Sequence, residues 1–91
     1  MEDVRAEIAL IDHKILDLVK KRLDIARILG EVKIIEGLPI KDPLQEALVL
    51  HRFSSWANEN NESDLIAQEL AHLLMKWAVK VQLNQSSASK P

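Results

Sequence analysis

Apolar residues recur along the first third of the chain in alternating steps of four and three: Val4, Ile8, Ile11, Ile15, Leu18, Ile25, Leu29 and Val32. That interval keeps them on one stripe of a helix and predicts an unbroken helix from Asp3 to about Ile35. Leu16, Val19, Leu23 and Ala26 widen the stripe into a broad apolar sector. The place in the series between Leu18 and Ile25 falls to Arg22. A guanidinium in an apolar seam is costly unless something anionic meets it. At ~100° per residue, Lys33 falls about 20° from Arg22 around the axis, so the pattern sets two cations on one face.

A helix of this length also bears on assembly. At ~1.5 Å per residue it makes a rod of roughly 50 Å, whereas a compact chain of 91 residues has a radius of gyration of only about 12 Å. The rod must overhang its own domain. A homodimer is expected, with the long helices antiparallel so that the pair closes as an isologous interface. The alternative is a helix broken near Gly30, giving a monomeric bundle.

The helix should end in Glu36-Gly37-Leu38-Pro39, where two poor helix continuers follow one another. Asp42-Pro43-Leu44-Gln45 then reads as a helix start: Asp42 can cap, Pro43 suits the first helical position, and Gln45 sits where a capping-box partner belongs. A second helix is predicted from Pro43 to about Glu59, burying some of Leu44, Leu48, Phe53 and Trp56. Asn58 to Asn61 form a short connection, and Asn61 or Ser63 can cap a third helix running to about Leu83. On that helix Ile66, Leu70, Leu73 and Trp77 make one apolar face, most simply core, and Ala71, Met75, Ala78 and Gln82 make another. Residues 1–84 read as one helical domain, and 85–91 have the composition of a disordered tail.

Composition narrows the class. Nearly half the residues are apolar, only two are glycine, and strand alternation and hairpin dipeptides are lacking, so the fold class is all-α with three helices. A formal charge of −2 with both signs interspersed argues against nucleic acid or an anionic membrane as the main partner. The chain has no cysteine, which removes disulfides, thiol nucleophiles and Cys-based metal sites. No apolar run approaches a membrane span and no signal-peptide pattern opens the chain, so a cytoplasmic location is expected.

The candidate site gathers Arg22 and Lys33 on the first helix and Glu46 inside the second, with Gln82 on the third able to join them. Read structurally, Lys33 could snorkel from its helix end, Glu46 could be a solvated first-turn carboxylate, and Asp42 a cap. Arg22 resists such a reading. Arg5 lies about 25 Å before Arg22 along the axis and can reach a site only across a subunit boundary; otherwise it is a solvated first-turn residue. His13, His51 and His72 lack a metal-ligand spacing and read as surface residues, while Trp56 and Trp77 sit at core spacing. With no phosphate loop and no nucleophile motif, the constellation suits binding of a small polyanion.

The order Arg5, Arg22, Gly30, Lys33, then Pro39-Ile40-Lys41-Asp42 and Glu46, then Gln82, resembles the all-α chorismate mutase family over about residues 2–84. The resemblance implies an intertwined homodimer with two sites, each lined by both subunits, acting in aromatic amino acid biosynthesis on the shikimate pathway. It implies that Arg5 enters from the partner and, with Arg22, grips the two carboxylates of a small dicarboxylate substrate. It further implies that Lys33, assisted by Gln82, donates to the ether oxygen of the breaking bond, and that Asp42 and Glu46 hold the ring hydroxyl. The reaction implied is the unimolecular rearrangement of chorismate to prephenate, with no metal and no cofactor. This sequence departs from the family's common pattern at Gln45, often arginine there, and at Ala78, often serine. Two other readings stand beside it: isochorismate-pyruvate lyase on the same scaffold, which Trp77 to Gln82 and Trp56-Ala57-Asn58-Glu59-Asn60 partly resemble, and a non-enzymatic helical dimerisation or regulatory module.

Overall fold

Glu2 and Asp3 put negative charge in the first turn of a helix, α1 (Glu2–Glu36), that runs without a break through Gly30. Its end is set by backbone chemistry. Gly37 takes a left-handed conformation at φ 69°, which a residue without Cβ adopts at no steric cost. The Gly37 N–H then donates to Ile34 O at 3.3 Å and the Leu38 N–H to Lys33 O at 2.8 Å, satisfying carbonyls the helix would otherwise leave open.

In the computed structural model, which describes residues 1–88, two further helices follow, α2 (Pro43–Glu59) and α3 (Asp64–Ala88). The Asp42 carboxylate caps α2 by accepting from the Gln45 N–H at 3.3 Å, with Pro43 at the first helical position. At the other end the Asn60 side chain donates to Trp56 O, and Asn61 takes the left-handed turn at φ 56°. The cap of α3 is Ser63, whose hydroxyl accepts from the Ile66 N–H at 3.2 Å. Of the two residues able to cap this helix, Asn61 is used for the turn and Ser63 for the cap.

α1 and α2 each pack along α3, and among the described residues they do not pack along each other. The buried apolar residues are Leu23 and Ala26 of α1, Val49 and Ala57 of α2, and Ala71 and Met75 of α3. Leu50 and Phe53 lean on the cluster of Val49, Ala71 and Met75. This reverses the face expected for α3: Ile66, Leu70, Leu73 and Trp77 are exposed, and the small-residue face is the one buried. Small side chains let helix axes come close, so Ala71 can sit fully enclosed between its neighbours. On α2, likewise, Leu44, Leu48 and Trp56 are exposed and only Phe53 of the four expected is partly buried. Residues 85–88, expected to belong to a disordered tail, are helical instead, because α3 carries on through Gln85 to Ala88. Gln85 holds that turn against α1 by donating to Arg27 O at 3.0 Å; residues 89–91 of the expected tail lie outside the described residues.

The chain is extended, 54 × 28 × 14 Å with a radius of gyration of 16.1 Å, against about 12 Å for a compact chain of this length. Its accessible surface of 7370 Å² exceeds the roughly 5,400 Å² expected of a folded monomer of 10.3 kDa. Part of the surplus lies on the α1 stripe, where Val4, Ile8, Ile11, Ile15 and Leu18 are each more than half exposed.

The enclosed position of Ala71 gives a direct check on this packing. Ala71→Leu should lower stability by about 1–3 kcal/mol through overpacking, measured as a fall in the denaturant midpoint at an unchanged slope.

Candidate active site

Because α1 and α2 meet α3 but not each other, a cleft opens between them with α3 as its floor. It holds a cavity of about 280 Å³ walled by Arg22, Ile25, Ala26, Leu29 and Lys33 of α1, by Gln45, Glu46, Val49 and Arg52 of α2, and by Met75, Ala78, Val79 and Gln82 of α3. Four of the residues singled out from sequence, Arg22, Lys33, Glu46 and Gln82, are therefore together. So are Gln45 and Ala78, the two departures from the family pattern.

Arg22 is half-buried, and its Nη1 donates to Leu74 O at 3.4 Å, a long contact. Among the described residues no carboxylate forms an ion pair with it. The acid nearest in sequence, Asp24, is engaged on the exposed face by Lys20 at 2.6 Å and Arg27 at 2.9 Å. Burial, and secondarily the charge of Arg52, push the Arg22 pKa below its ordinary value. Both causes act against a cation, and neither is offset by an acid.

Lys33, in the last turn of α1, donates from Nζ to Ile40 O at 2.5 Å, which ties the helix end to the connection leading into α2. An ammonium has three donors, so two remain for the cavity. Gln82 is only 3% exposed, and its Nε2 donates to Ala26 O at 2.9 Å. That bond fixes the amide against α1 and leaves its second N–H. Glu46, in the first turn of α2, is partly buried at the favourable end of the helix dipole. It also borders a second hollow of about 310 Å³ shared with Lys41, His72 and Lys76.

The other two candidates lie elsewhere. Asp42 acts as the α2 cap and is not on the cavity wall. Arg5 is exposed on the first turn of α1 and is not brought to the cavity of its own chain. Arg52 is the residue that sequence reasoning passed over. Its signal was its distance of seven residues from Gln45, which puts both on one stripe of α2. The three histidines are exposed, and among the described residues no cluster of three or more His, Asp or Glu is placed to hold a metal ion.

A wider apolar groove of about 520 Å³ lies beside the site, between the second half of α2 and the first half of α3. It is lined by Arg52, Phe53, Trp56, Glu62, Ser63, Ile66, Ala67 and Leu70. Trp56, 55% exposed, and Trp77, 44% exposed, are not core residues of the chain as it stands.

Residues 4–83 match the model of the family described as chorismate mutase type II. A chorismate mutase of Methanocaldococcus jannaschii is 30% identical over 76 residues, covering 84% of this chain and 77% of that protein. The family and this relative are both described as chorismate mutase.

The close approach at Gly30 positions Gln82, and it can be tested. A Cβ built there would lie 2.5 Å from Gln85 Oε1 and 2.9 Å from Gln82 Cγ. Gly30→Ala gains about 1 kcal/mol of helix propensity, but the collision should outweigh it and leave the variant about 1–3 kcal/mol less stable. Adding Gln85→Ala removes the shorter collision and should recover part of the loss, read by thermal denaturation of the two variants.

Proposed function

The chain belongs to the chorismate mutase type II family, and we propose that the rearrangement of chorismate to prephenate takes place in the cleft between α1 and α2. The observation that carries this placement is a half-buried Arg22 facing the same cavity as Lys33, Glu46 and Gln82 with no ion-paired acid among the described residues. Such a site is prepared for an anion.

The reaction is intramolecular. A carbon–oxygen ether bond breaks as a carbon–carbon bond forms, so no protein nucleophile enters the bond changes. Two contributions remain for the protein. One is to hold the enolpyruvyl arm over the ring in a reactive conformation, which Arg22 serves by gripping a carboxylate with paired N–H groups. The other is to stabilise negative charge growing on the ether oxygen. Lys33, with two N–H donors left after Ile40 O, and Gln82, with one left after Ala26 O, are oriented before substrate arrives. Donors fixed in advance need no reorganisation at the moment of reaction. Glu46 takes the ring hydroxyl from the α2 wall, and Asp42, off the cavity wall, supports it by capping the first turn of α2 that carries Glu46.

The working form in this proposal is an antiparallel homodimer. Surplus accessible surface, a long α1 whose apolar stripe is open, and the apolar groove beside the cavity all support it. A stable obligate interface buries about 2,000–5,000 Å² in total, a demand the exposed stripe and groove can meet. In that arrangement Arg5 enters the partner's cavity and supplies a guanidinium for a second carboxylate. The helical domain, expected over residues 1–84, then takes in Gln85 to Ala88 as well, and the setting is cytoplasmic. No helix of the described residues is long and apolar enough to cross a membrane.

Purified protein should consume chorismate, followed by its absorbance, and yield prephenate; release of pyruvate from isochorismate without chorismate turnover would replace the reading with the lyase. Lys33→Ala should lower the rate by about 10²–10³ with the helical circular dichroism unchanged.

The shared site is tested by mixing. Arg5→Ala and Arg22→Ala proteins should each be inactive as homodimers. Remixed after dissociation, they should recover roughly one quarter of the parent rate, because half the dimers regain one intact site of two. No recovery, with heterodimers shown to form, would remove Arg5 from the site.

A further inference from the structure

Arg52 has no part in the roles assigned above, yet it faces the same cavity. It lies seven residues after Gln45 on α2, so at ~100° per residue the two are within about 20° around the axis, and both wall the cavity with Arg22 and Lys33. Among the described residues Arg52 pairs with no carboxylate; the ion pairs present belong to Lys20, Asp24 and Arg27. Its charge bears on Arg22, adding to burial in disfavouring that cation. Counted around the wall, three cations, Arg22, Lys33 and Arg52, stand against the single carboxylate of Glu46.

Two guanidiniums drawn to one small cavity without an acid between them repel, and the repulsion is relieved when an anion lies between them. Arg22 approaches from the α1 wall and Arg52 from the α2 wall. An anion reaching both must carry charge at more than one point or bridge the cleft with one carboxylate. A guanidinium on α2 also stands two turns along the same stripe from Gln45, where a neutral side chain leaves the first turn of that wall without a cation.

We propose that Arg52 is a substrate-binding residue that takes a carboxylate of the dianionic substrate from the α2 wall, opposite Arg22, and so makes the site selective for dicarboxylates. The inference rests on the cleft's being the reaction site. Its rival is structural: Arg52 also borders the apolar groove, where an acid on a partner's first turn, such as Glu2 or Asp3, could neutralise it.

The test compares the parent dimer with Arg52→Gln and Arg52→Lys, using chorismate turnover, titration calorimetry with prephenate (itself a dicarboxylate) and sedimentation. Losing one charge-assisted contact should raise KM for chorismate and weaken prephenate binding by about 10- to 100-fold. With kcat little changed, that is the pattern of lost uniform binding; Arg52→Lys should recover part of it, and all three proteins should sediment as dimers. KM and prephenate affinity at parental values in Arg52→Gln would overturn the role. So would a loss of activity that tracks dissociation of the dimer in both variants, which is the signature of the structural pairing. A parent that does not convert chorismate fails the reading of the site itself, whereas an active parent with an unaffected variant fails only Arg52.

Discussion

The Gln82 amide reaches the carbonyl of Ala26 at 2.9 Å, and it can do so because Gly30, one turn further along α1, has no side chain to hold the helices apart. Ala26 and Gly30 on α1 let the backbones come close where larger residues would separate them. With α3 seated this way, α1 occupies one of its flanks and α2 the other, and the two outer helices never come into packing contact among the described residues. The cleft is the space left by that arrangement. Helix packing makes it.

An apolar cleft of this kind would lower its free energy by collapsing or by taking up a ligand. Collapse is opposed by the charges on its walls. Arg22 and Arg52 repel one another, and Lys33 is held at the rim by Ile40 O. Carbonyl oxygens, at Leu74 and Ile40, satisfy part of the hydrogen-bonding capacity of these cations without cancelling their charge. A buried charge paired with an acid would be inert toward ligands. One hydrogen-bonded to neutral carbonyls keeps its field. Neutral carbonyl partners at Leu74 and Ile40 therefore leave the cleft's positive field available to an anion.

Much of this was legible in the sequence where a residue broke a local rule. Arg22 interrupts an apolar series, and the structure places it half-buried on a cavity wall. Asp42-Pro43 and Gly37 announced helix ends with their own backbone chemistry, and those ends fall within a residue or two of expectation. The core was less legible. Periodicity ranks faces by size and hydropathy, and so it chose Ile66, Leu70, Leu73 and Trp77 over Ala71 and Met75. Close helix contact selects for small side chains, a criterion that hydropathy does not carry. Arg52 was missed for a related reason. A lone arginine on a mixed helix looks like any solvated cation until the opposite wall is known. The Gln85 turn was missed too, because polar composition near a terminus reads as tail unless its partner, the Arg27 carbonyl, is in view.

The faces that periodicity chose wrongly have a consistent geometry of their own. Ile66 and Leu70 line the open groove beside the site, and the first half of α1 extends beyond the other helices with its stripe uncovered. A two-fold axis relates a residue at one position on α1 to the residue equally far beyond the axis on the other copy. For Arg5 to meet the stretch from Arg22 to Lys33, that axis must cross α1 midway, at about Ile15 to Leu18. Those residues are 53% to 63% exposed and form the centre of the stripe. In the proposed dimer, the point at which an apolar interface would be anchored is thus the point that would set a distant arginine over the cleft, and one helix length would satisfy both demands. A shorter α1 could bury the stripe's centre but would leave the site one guanidinium short.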